Sequence, residues 1–413
     1  MDFDRKTMRF MLEGLPQKTR SRLKKTADLI IRTKENGGKV IAVLGSGPNL
    51  HEGVTCLVAE LMRKGIIDGV STSSAVINHE MSGTLERVKR IKGSALGIGS
   101  DKLPFDGYFE VTIISDARLE RLRRIINIDM PLYRKMRRTK GDELIKVAGN
   151  MAYPTGLYTE RIAREILPIA KRCGVPFETM AGYGADRNTI IGSGAELNLP
   201  VIVSVPQLVG GGEVGLAIGD SIPISERSYR MAKLLDSADI IIESAIALTQ
   251  EIHDGPFERY TGHGIWTDWQ GGWTLSLAGK KIIRIDLDPN LDKAWMKERK
   301  SHMVSDAVHK GLPKTKIMRI PFRMEMSGFS RLPGSLPLVG DIGDIWPLLA
   351  MMISDSLKVE LDFMCYKQSL PAGKKIRDWI VKNVHPVDLD KILRAEKDII
   401  AKRFALSNGP PNA

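Results

Sequence analysis

The stretch that decides the fold is KVIAVLGSGPNLHEGVTCLVAELMRKGIIDGVSTSS, Lys39 to Ser74. KVIAVL is an unbroken apolar run of strand length, rich in residues that favour extended backbone. It enters a turn, GSG, where Gly45 and Gly47 permit a sharp change of direction. GVTCLVAELMRKG then reads as a helix closed by Gly65, and IIDGVSTSS as a second strand. Strand, helix and strand within about forty residues form a βαβ unit, which implies parallel pairing.

Outward from this unit the same alternation continues. GYFEVTIIS, GVPFETM, LPVIVSVP, ADIIIESAI, KKIIRIDL and LPLVGDI are further strand candidates. The helices YTERIAREILPIAKRCG, ISERSYRMAKLLDSA and IGDIWPLLAMMISDSL are interleaved with several of them. Strands that are apolar throughout, alternating with helices, predict an α/β fold: a doubly wound, mostly parallel sheet with helices on both faces. Pro16 to Asn36 reads as one helix, striped by Leu23, Ala27, Leu29, Ile30 and Ile31 and ended by Gly37-Gly38. The expected organisation is an N-terminal helical extension over 1–35 and an α/β domain over 36–355. A helical insertion is expected near 117–145, centred on the basic stretch Arg118 to Arg138. A helical tail follows over 356–413, its last residues, SNGPPNA, too polar to order.

The 413 residues, 43% of them apolar, suffice for a large core. Cys56, Cys173 and Cys365 lie far apart with no C-x-x-C spacing, which excludes a disulfide framework and a structural zinc site. The N-terminus lacks a signal-peptide apolar core and no stretch approaches a membrane span, so a soluble cytoplasmic protein is expected. Lys and Arg number 61 against 49 Asp and Glu, a net charge of +12. Nucleic-acid binding is one reading of that excess. The basic residues, however, gather in KTRSRLKK and RLERLRRIINIDMPLYRKMRRTK, with few aromatics to stack bases. A solvated basic helical face, or an electrostatic draw for anionic small molecules, fits that pattern better.

Four stretches could carry chemistry. In VLGSGPNLHEG, Gly45, Ser46, Gly47, Pro48 and Asn49 lie between a strand end and a helix start, where backbone N–H groups can hold a diphosphate. The spacing is not the G-x-G-x-x-G fingerprint, because Pro48 and Asn49 interrupt it, and glycines that merely allow a turn are the alternative. STSSAVINHEM sets Ser74, Asn78, His79 and Glu80 at the end of the second strand, where α/β sheets place their ligands. A histidine beside an acid can work as a tuned base, although a polar helix start capped by Ser73 or Ser74 would look the same. His51 and Asn49 could face the same crevice. The glycine-dense segments AGNMAYPTG, MAGYGADRNTIIGSG and PQLVGGGEVGLAIGDS could be ligand loops. Gly210, Gly211 and Gly212 are the most open of these, as a cofactor contact, a lid or a simple connection. TQEIHDGPFERYTGHGIWTDWQGGW carries His253, Asp254, His263 and Asp268 without the i, i+4 spacing of metal pairs, so no metal is expected. Its tryptophans would pack or cover a pocket. Finally, AGKKIIRIDLDPNLDK ends a strand on Asp286 and Asp288, stopped by Pro289. Such a pair could receive ribose hydroxyls, or could be surface residues past a strand.

ADIIIESA, KKIIRIDLDPNLDK and LPLVGDIGDIWPLLAMM together resemble the closing half of the deoxyhypusine-synthase-like NAD/FAD-binding superfamily. That superfamily includes sirtuins and the middle domain of thiamine-diphosphate enzymes, where a strand ending in I-D-x-D-P is followed by a V-G-D strand. Ile285-Asp286-Leu287-Asp288-Pro289 and Val339-Gly340-Asp341 match the pair. GSGPNLHEG, LMRKGIIDGVSTSSAVINHEM and IKGSALGIGSDKLPFDG are similar to the NAD-binding domain of archaeal-type ornithine cyclodeaminases, the lysine-ketoglutarate reductase/saccharopine dehydrogenase-like bifunctional family. Gly47-Pro48 and His51 fit that family's first loop, Ala75, His79 and Glu80 its second segment, and Gly93-Ser94-Ala95-Leu96-Gly97 its third. Ser74 stands where the family has asparagine, and its D-D-G-P-L-P loop is represented only by QLVGGGE. The separate N-terminal domain of those proteins is replaced by a single helix. The resemblance runs from Lys39 to Asp355. No G-D-G…N-N segment is present, which disfavours thiamine catalysis.

The resemblance implies NAD as cofactor, a homo-oligomer, and a lyase or oxidoreductase acting on a small amino acid or amine. Hydride would leave the carbon bearing nitrogen, and the product would then cyclise or lose ammonia. His79, steadied by Glu80, would move protons, and Asn78 and His51 would orient substrate. Gly45, Ser46, Gly47, Pro48, Asn49, Ser74, Gly210, Gly211, Asp286, Asp288 and Asp341 would hold the cofactor. A regulatory protein that binds NAD without turning it over is a second reading. An aminoalkyl transferase of the deoxyhypusine or homospermidine synthase kind is a third.

Overall fold

Val40–Leu44 is buried at every position, as an unbroken apolar run requires of a strand covered on both faces. It is β1 of the computed structural model, which describes residues 4–45, 47–102, 107–149, 152–203, 211–244, 279–286 and 336–407, with isolated residues in 206–208 and 293–310. The other strands are β2 (Gly69–Thr72), β3 (Leu85–Lys92), β4 (Tyr108–Thr112), β5 (Asp142–Val147), β6 (Val201–Val203), β7 (Ile240–Ser244), β8 (Lys281–Asp286) and β9 (Leu336–Val339). The helices of the first half are α1 (Arg5–Gly14), α2 (Gln17–Glu35), α3 (Gly47–His51), α4 (Val54–Arg63), α5 (Ser74–Met81), α6 (Asp116–Arg123) and α7 (Met130–Arg138). Those of the second half are α8 (Thr155–Cys173), α9 (Phe177–Gly184), α10 (Ile190–Leu197), α11 (Gly212–Ser221), α12 (Ile224–Asp236), α13 (Ile342–Leu357), α14 (Pro371–Asn383) and α15 (Leu389–Ser407).

The chain divides into two compact units. The first comprises residues 1–73, 200–205 and 224–374 and contains a six-stranded sheet in the order β6-β2-β1-β7-β8-β9. Every neighbouring pair in it is parallel. Numbered within the sheet alone, this is the 3-2-1-4-5-6 order of doubly wound dinucleotide-binding sheets, and the order reverses between β1 and β7. Register explains the packing. Ile41, Ile241 and Ile282 lie in one row across β1, β7 and β8, and with Val43 and Ile202 they form a core with Met231, Leu235 and Ala238 at α12. Ala42, Ile242 and Ile283 form the next row, facing the other way, and are equally buried. α2 and α13 pack on each other and on this sheet; Thr19 Oγ1 of α2 donates to the Val339 carbonyl at 2.9 Å. Each fully buried Ile or Leu of these rows contributes roughly 1.5–3 kcal/mol over its exposed state.

The second unit comprises residues 74–199, 206–223 and 375–413. It holds a three-stranded antiparallel sheet, β4-β3-β5, with α8 packed against α9, α11 and α15. This sheet corrects the sequence expectation of one open sheet. GYFEVT is a strand, but it pairs antiparallel with LERVKRIK, and DELIKV completes the set. Those last two strands are too charged to stand out, because their cations are matched across the ladder: Lys146 Nζ meets Glu110 at 2.5 Å and Arg90 Nε meets it at 3.4 Å. GVPFETM, expected as a strand, is the start of α9: Pro176 stands just before the helix, where its fixed φ and missing N–H are tolerated. The basic stretch does form two helices, α6 and α7. MAGYGADRNTIIGSG, expected as a ligand loop, is the α9–α10 hairpin, and its glycines allow close packing. A Cβ at Gly182 would lie 2.5 Å from the Ile191 carbonyl oxygen, and one at Gly192 only 2.0 Å from that of Asp186. Among the described residues no helix is long and apolar enough to cross a membrane, and the three cysteines are buried and unbridged.

Candidate functional site

In the sheet unit the strand order reverses where β1 ends at Leu44 and β7 ends at Ser244. Open α/β sheets bind ligands beyond the strand ends at such a point. Buried polar groups knit the reversal together. The Gly45 amide donates to the Ser244 carbonyl at 2.9 Å. The Asn49 side-chain amide donates to the carbonyls of Gly45 at 2.9 Å and Ser244 at 3.0 Å, and its Oδ1 accepts from Ser244 Oγ at 2.8 Å. Trp346 Nε1 of α13 donates to the same Ser244 oxygen at 2.8 Å. Asn49 therefore spends both of its donors on the strand ends and acts as a brace under the turn. Gly47 differs: a Cβ added there meets nothing within 4 Å, so its backbone borders open space. The chain then closes the turn through Gly53, whose φ of 74° caps α4 in the left-handed region that favours glycine.

The other expected residues of this unit fall as follows. His51 is the last residue of α3 and is partly exposed, and Pro48 is exposed. Asp341 caps α13 by accepting the Gly343 amide at 2.9 Å, and Lys367 pairs with it at 3.0 Å and with Asp344 at 2.9 Å. Asp286 closes β8 opposite Val339. Its side chain, together with Ser46, Gly210, Asp288 and the stretch from Thr249 to Trp273, lies outside the described residues.

The second unit begins with α5, in which all eight residues, including Ser74, Asn78, His79 and Glu80, are buried. The His79 ring is held by the Ala148 carbonyl, 2.5 Å from Nδ1. A carbonyl only accepts, so Nδ1 carries the proton and Nε2 is the basic nitrogen of the neutral ring. Glu80 accepts the amides of Ile190 at 2.9 Å and Ile191 at 3.1 Å, the first residues of α10. Burial pushes its carboxyl up to about 8, against the pull of those two amides. Glu80 thus anchors a helix start, and a backbone carbonyl, that of Ala148, orients the His79 ring. Gly211 precedes α11 in this unit as its N-cap and is buried.

Among the buried acids that the sequence did not single out, Glu86 lies beside the peptide that holds His79. Glu86, the second residue of β3, is 1% exposed. It accepts Thr112 Oγ1 at 2.8 Å and the Gly149 amide at 3.0 Å. Burial pushes its pKa up to about 7, while Thr112, Gly149 and the charges of Arg118 and Lys146 oppose the rise. Arg118, itself held below its ordinary value by burial, donates to the Ser82 carbonyl at 3.3 Å. Ser82 and Thr159 share a hydrogen bond of 2.6 Å. Within LERVKRIK nothing distinguishes Glu86 from its charged neighbours. The glycine-dense AGNMAYPTG was the available signal, since Gly149 has a φ of +98°, its amide donates to Glu86, and a Cβ on it would crowd Ser82.

No protein-family model matches the sequence, and no curated protein matches it. Likeness to solved structures is found with ArgZ, an arginine dihydrolase from the ornithine–ammonia cycle in cyanobacteria, in its apo form: 13% identity and a TM-score of 0.39 over 82% of this chain and 32% of that one. It is also found with the ternary complex of AgrE with ornithine and NAD+, at 13% identity and a TM-score of 0.40 over 87% of this chain and 35% of AgrE. A third is a conserved protein assigned to LOR/SDH from Methanococcus maripaludis S2, at 15% identity and a TM-score of 0.39 over 84% of this chain and 70% of that one. The chain spans about a third of the length of ArgZ and AgrE.

Proposed function

We propose that the protein is an NAD-dependent enzyme acting on a small amino acid or amine. The observation that carries this reading is the turn after β1: it lies at the reversal of a 3-2-1-4-5-6 parallel sheet, and Gly47 there borders open space. A diphosphate needs close approach to backbone with no side chain in the way, and Gly47 supplies that. Gly47 would border the diphosphate, while the Gly45 amide, spent on the Ser244 carbonyl, and Asn49 fix the turn beneath it. Asp286, the last residue of the strand two places along the sheet from β1, and Asp288, two residues on in the sequence, would receive a ribose. Bound NAD supplies a hydride acceptor for a carbon bearing nitrogen. The chain's own contribution to proton handling is His79, whose Nδ1–H is committed to Ala148 and whose Nε2 accepts a proton from a substrate nitrogen or water.

NAD binding to the folded state alone stabilises the protein by about 2.7 kcal/mol at a hundredfold excess over its dissociation constant. The test is a melting curve with NAD, NADH, FAD and ADP at millimolar concentration. A rise with NAD or NADH is expected; no shift with any of the four overturns the nucleotide reading.

A further inference from the structure

We propose that Glu86 is a positioning residue for His79, acting on it through the one peptide group that joins Ala148 to Gly149. The proposal deepens the reading of His79 as the proton-handling residue and rests on it. The carbonyl of that peptide lies 2.5 Å from His79 Nδ1, and its N–H donates to Glu86 at 3.0 Å. A carboxylate at the N–H end of an amide enlarges the amide dipole and makes the carbonyl at the other end a stronger acceptor. The result is a histidine–carboxylate pair with a peptide between its members. It holds the proton on Nδ1, leaves Nε2 as the base, and stabilises the imidazolium formed when Nε2 takes up a proton.

The chain makes this pair by a tight reversal. α5 ends at Met81; Gly83 at φ +100° and Thr84 at φ +65° turn the backbone, and β3 begins at Leu85. Glu86 therefore follows His79 closely in sequence while lying on a different element. The peptide is fixed from both sides. The Ala148 amide donates to the Thr84 carbonyl at 2.9 Å. Gly149 has the left-handed φ of +98°, and a Cβ on it would stand 2.5 Å from Ser82 Oγ. The second Glu86 oxygen is held by Thr112 Oγ1 at 2.8 Å, so the carboxylate keeps its orientation. The charged groups facing Glu86 are Arg118 of α6 and Lys146 of β5, and both favour its ionised form. Burial opposes them and brings its titration to about 7, near that of an ordinary histidine.

The experiment is a titration of the full-length protein followed by nuclear magnetic resonance with 15N-labelled histidine, His79 being assigned by loss of its signals in His79→Gln. In the wild type the ring should be the Nδ1–H tautomer. Glu86→Gln keeps the shape and an acceptor for Gly149 while removing the charge. With charges roughly 8 Å apart at an effective dielectric of 20, it should lower the His79 midpoint by about one pKa unit or somewhat more. An unchanged midpoint in a folded Glu86→Gln protein overturns the proposal. A second measurement needs no variant: the Gly149 amide resonance of the wild type must move with the Glu86 titration, and a Gly149 amide that stays silent while Glu86 titrates also overturns it. Both readouts are taken without nucleotide, so failure of NAD binding and failure of this pair are distinguished.

Discussion

Gly47→Ala tests the strand-end site with effects of opposite sign on folding and on binding. Gly47 opens α3 with a φ outside the left-handed region, and an added Cβ meets nothing within 4 Å. The methyl group therefore fits the folded protein and restricts the unfolded chain, which stabilises by about 0.4–1 kcal/mol. The melting temperature should rise by a few degrees at most, since roughly 1 kcal/mol shifts a chain of this size by about 2–4 °C or less. Binding should move the other way. If a diphosphate approaches the backbone here, the methyl occupies its place and lengthens at least one charge-assisted hydrogen bond, each worth about 1.5–3 kcal/mol. That loss corresponds to roughly 10-fold to 150-fold in the dissociation constant. Calorimetric titration with NAD, beside melting curves of the unliganded proteins, reads both quantities. A variant that is as stable as the wild type or more so, yet binds NAD equally well, would refute the assignment of this turn to the nucleotide.

His79→Gln should reduce turnover by roughly 10²–10⁴-fold and leave the NAD dissociation constant unchanged; equal loss of both in steady-state and calorimetric assays would make the residue structural. Asn49→Ala removes three buried hydrogen bonds and takes the side-chain donor from the Gly45 carbonyl, while the Ser244 carbonyl keeps the Gly45 amide, so denaturant unfolding should show a loss of about 2–4 kcal/mol. Burial raises the folded-state pKa of Glu80 from 4.5 to about 8, so between those values the folded protein binds the proton more tightly than the unfolded chain. Stability from this group is therefore present at the acidic end of the window and lost as pH rises, by at most about 1.4 kcal/mol per pH unit, and Glu80→Gln should flatten melting temperature against pH from 5 to 8. If Asp286 receives a ribose, NAD should be preferred over NADP by roughly tens of fold, and Asp286→Asn should reduce that preference; equal affinities in both proteins would exclude the contact.

The parallel sheet was legible because burial on both faces demands unbroken apolar runs, and VIAVL and the three isoleucines of ADIIIESAI have no other economical reading. The antiparallel sheet was not, because LERVKRIK meets its partners through ion pairs. Arg90 and Lys146 converge on Glu110, and Lys89 lies 3.9 Å from Glu143, an arrangement that exists only after the strands pair. GVPFETM has a valine and a phenylalanine around a proline, and local propensity there does not separate a short strand from a helix start.

The candidate site was half legible for a related reason. The sequence marks polar residues at strand ends, but it does not say on what each will be spent. Asn49 turned inward to brace β1 and β7, Asp341 to cap α13, and Glu80 to hold the start of α10. A buried polar group left unmatched loses about 1–3 kcal/mol, so satisfying such groups within the fold is the first demand on them. What then borders open space at the switch point is backbone, and glycine is its sole sequence mark; what orients His79 is also backbone, the Ala148–Gly149 peptide. A backbone group has no side-chain signature, so the residues that bear on a site through it, Glu86 among them, become visible only when the hydrogen bonds are traced atom by atom.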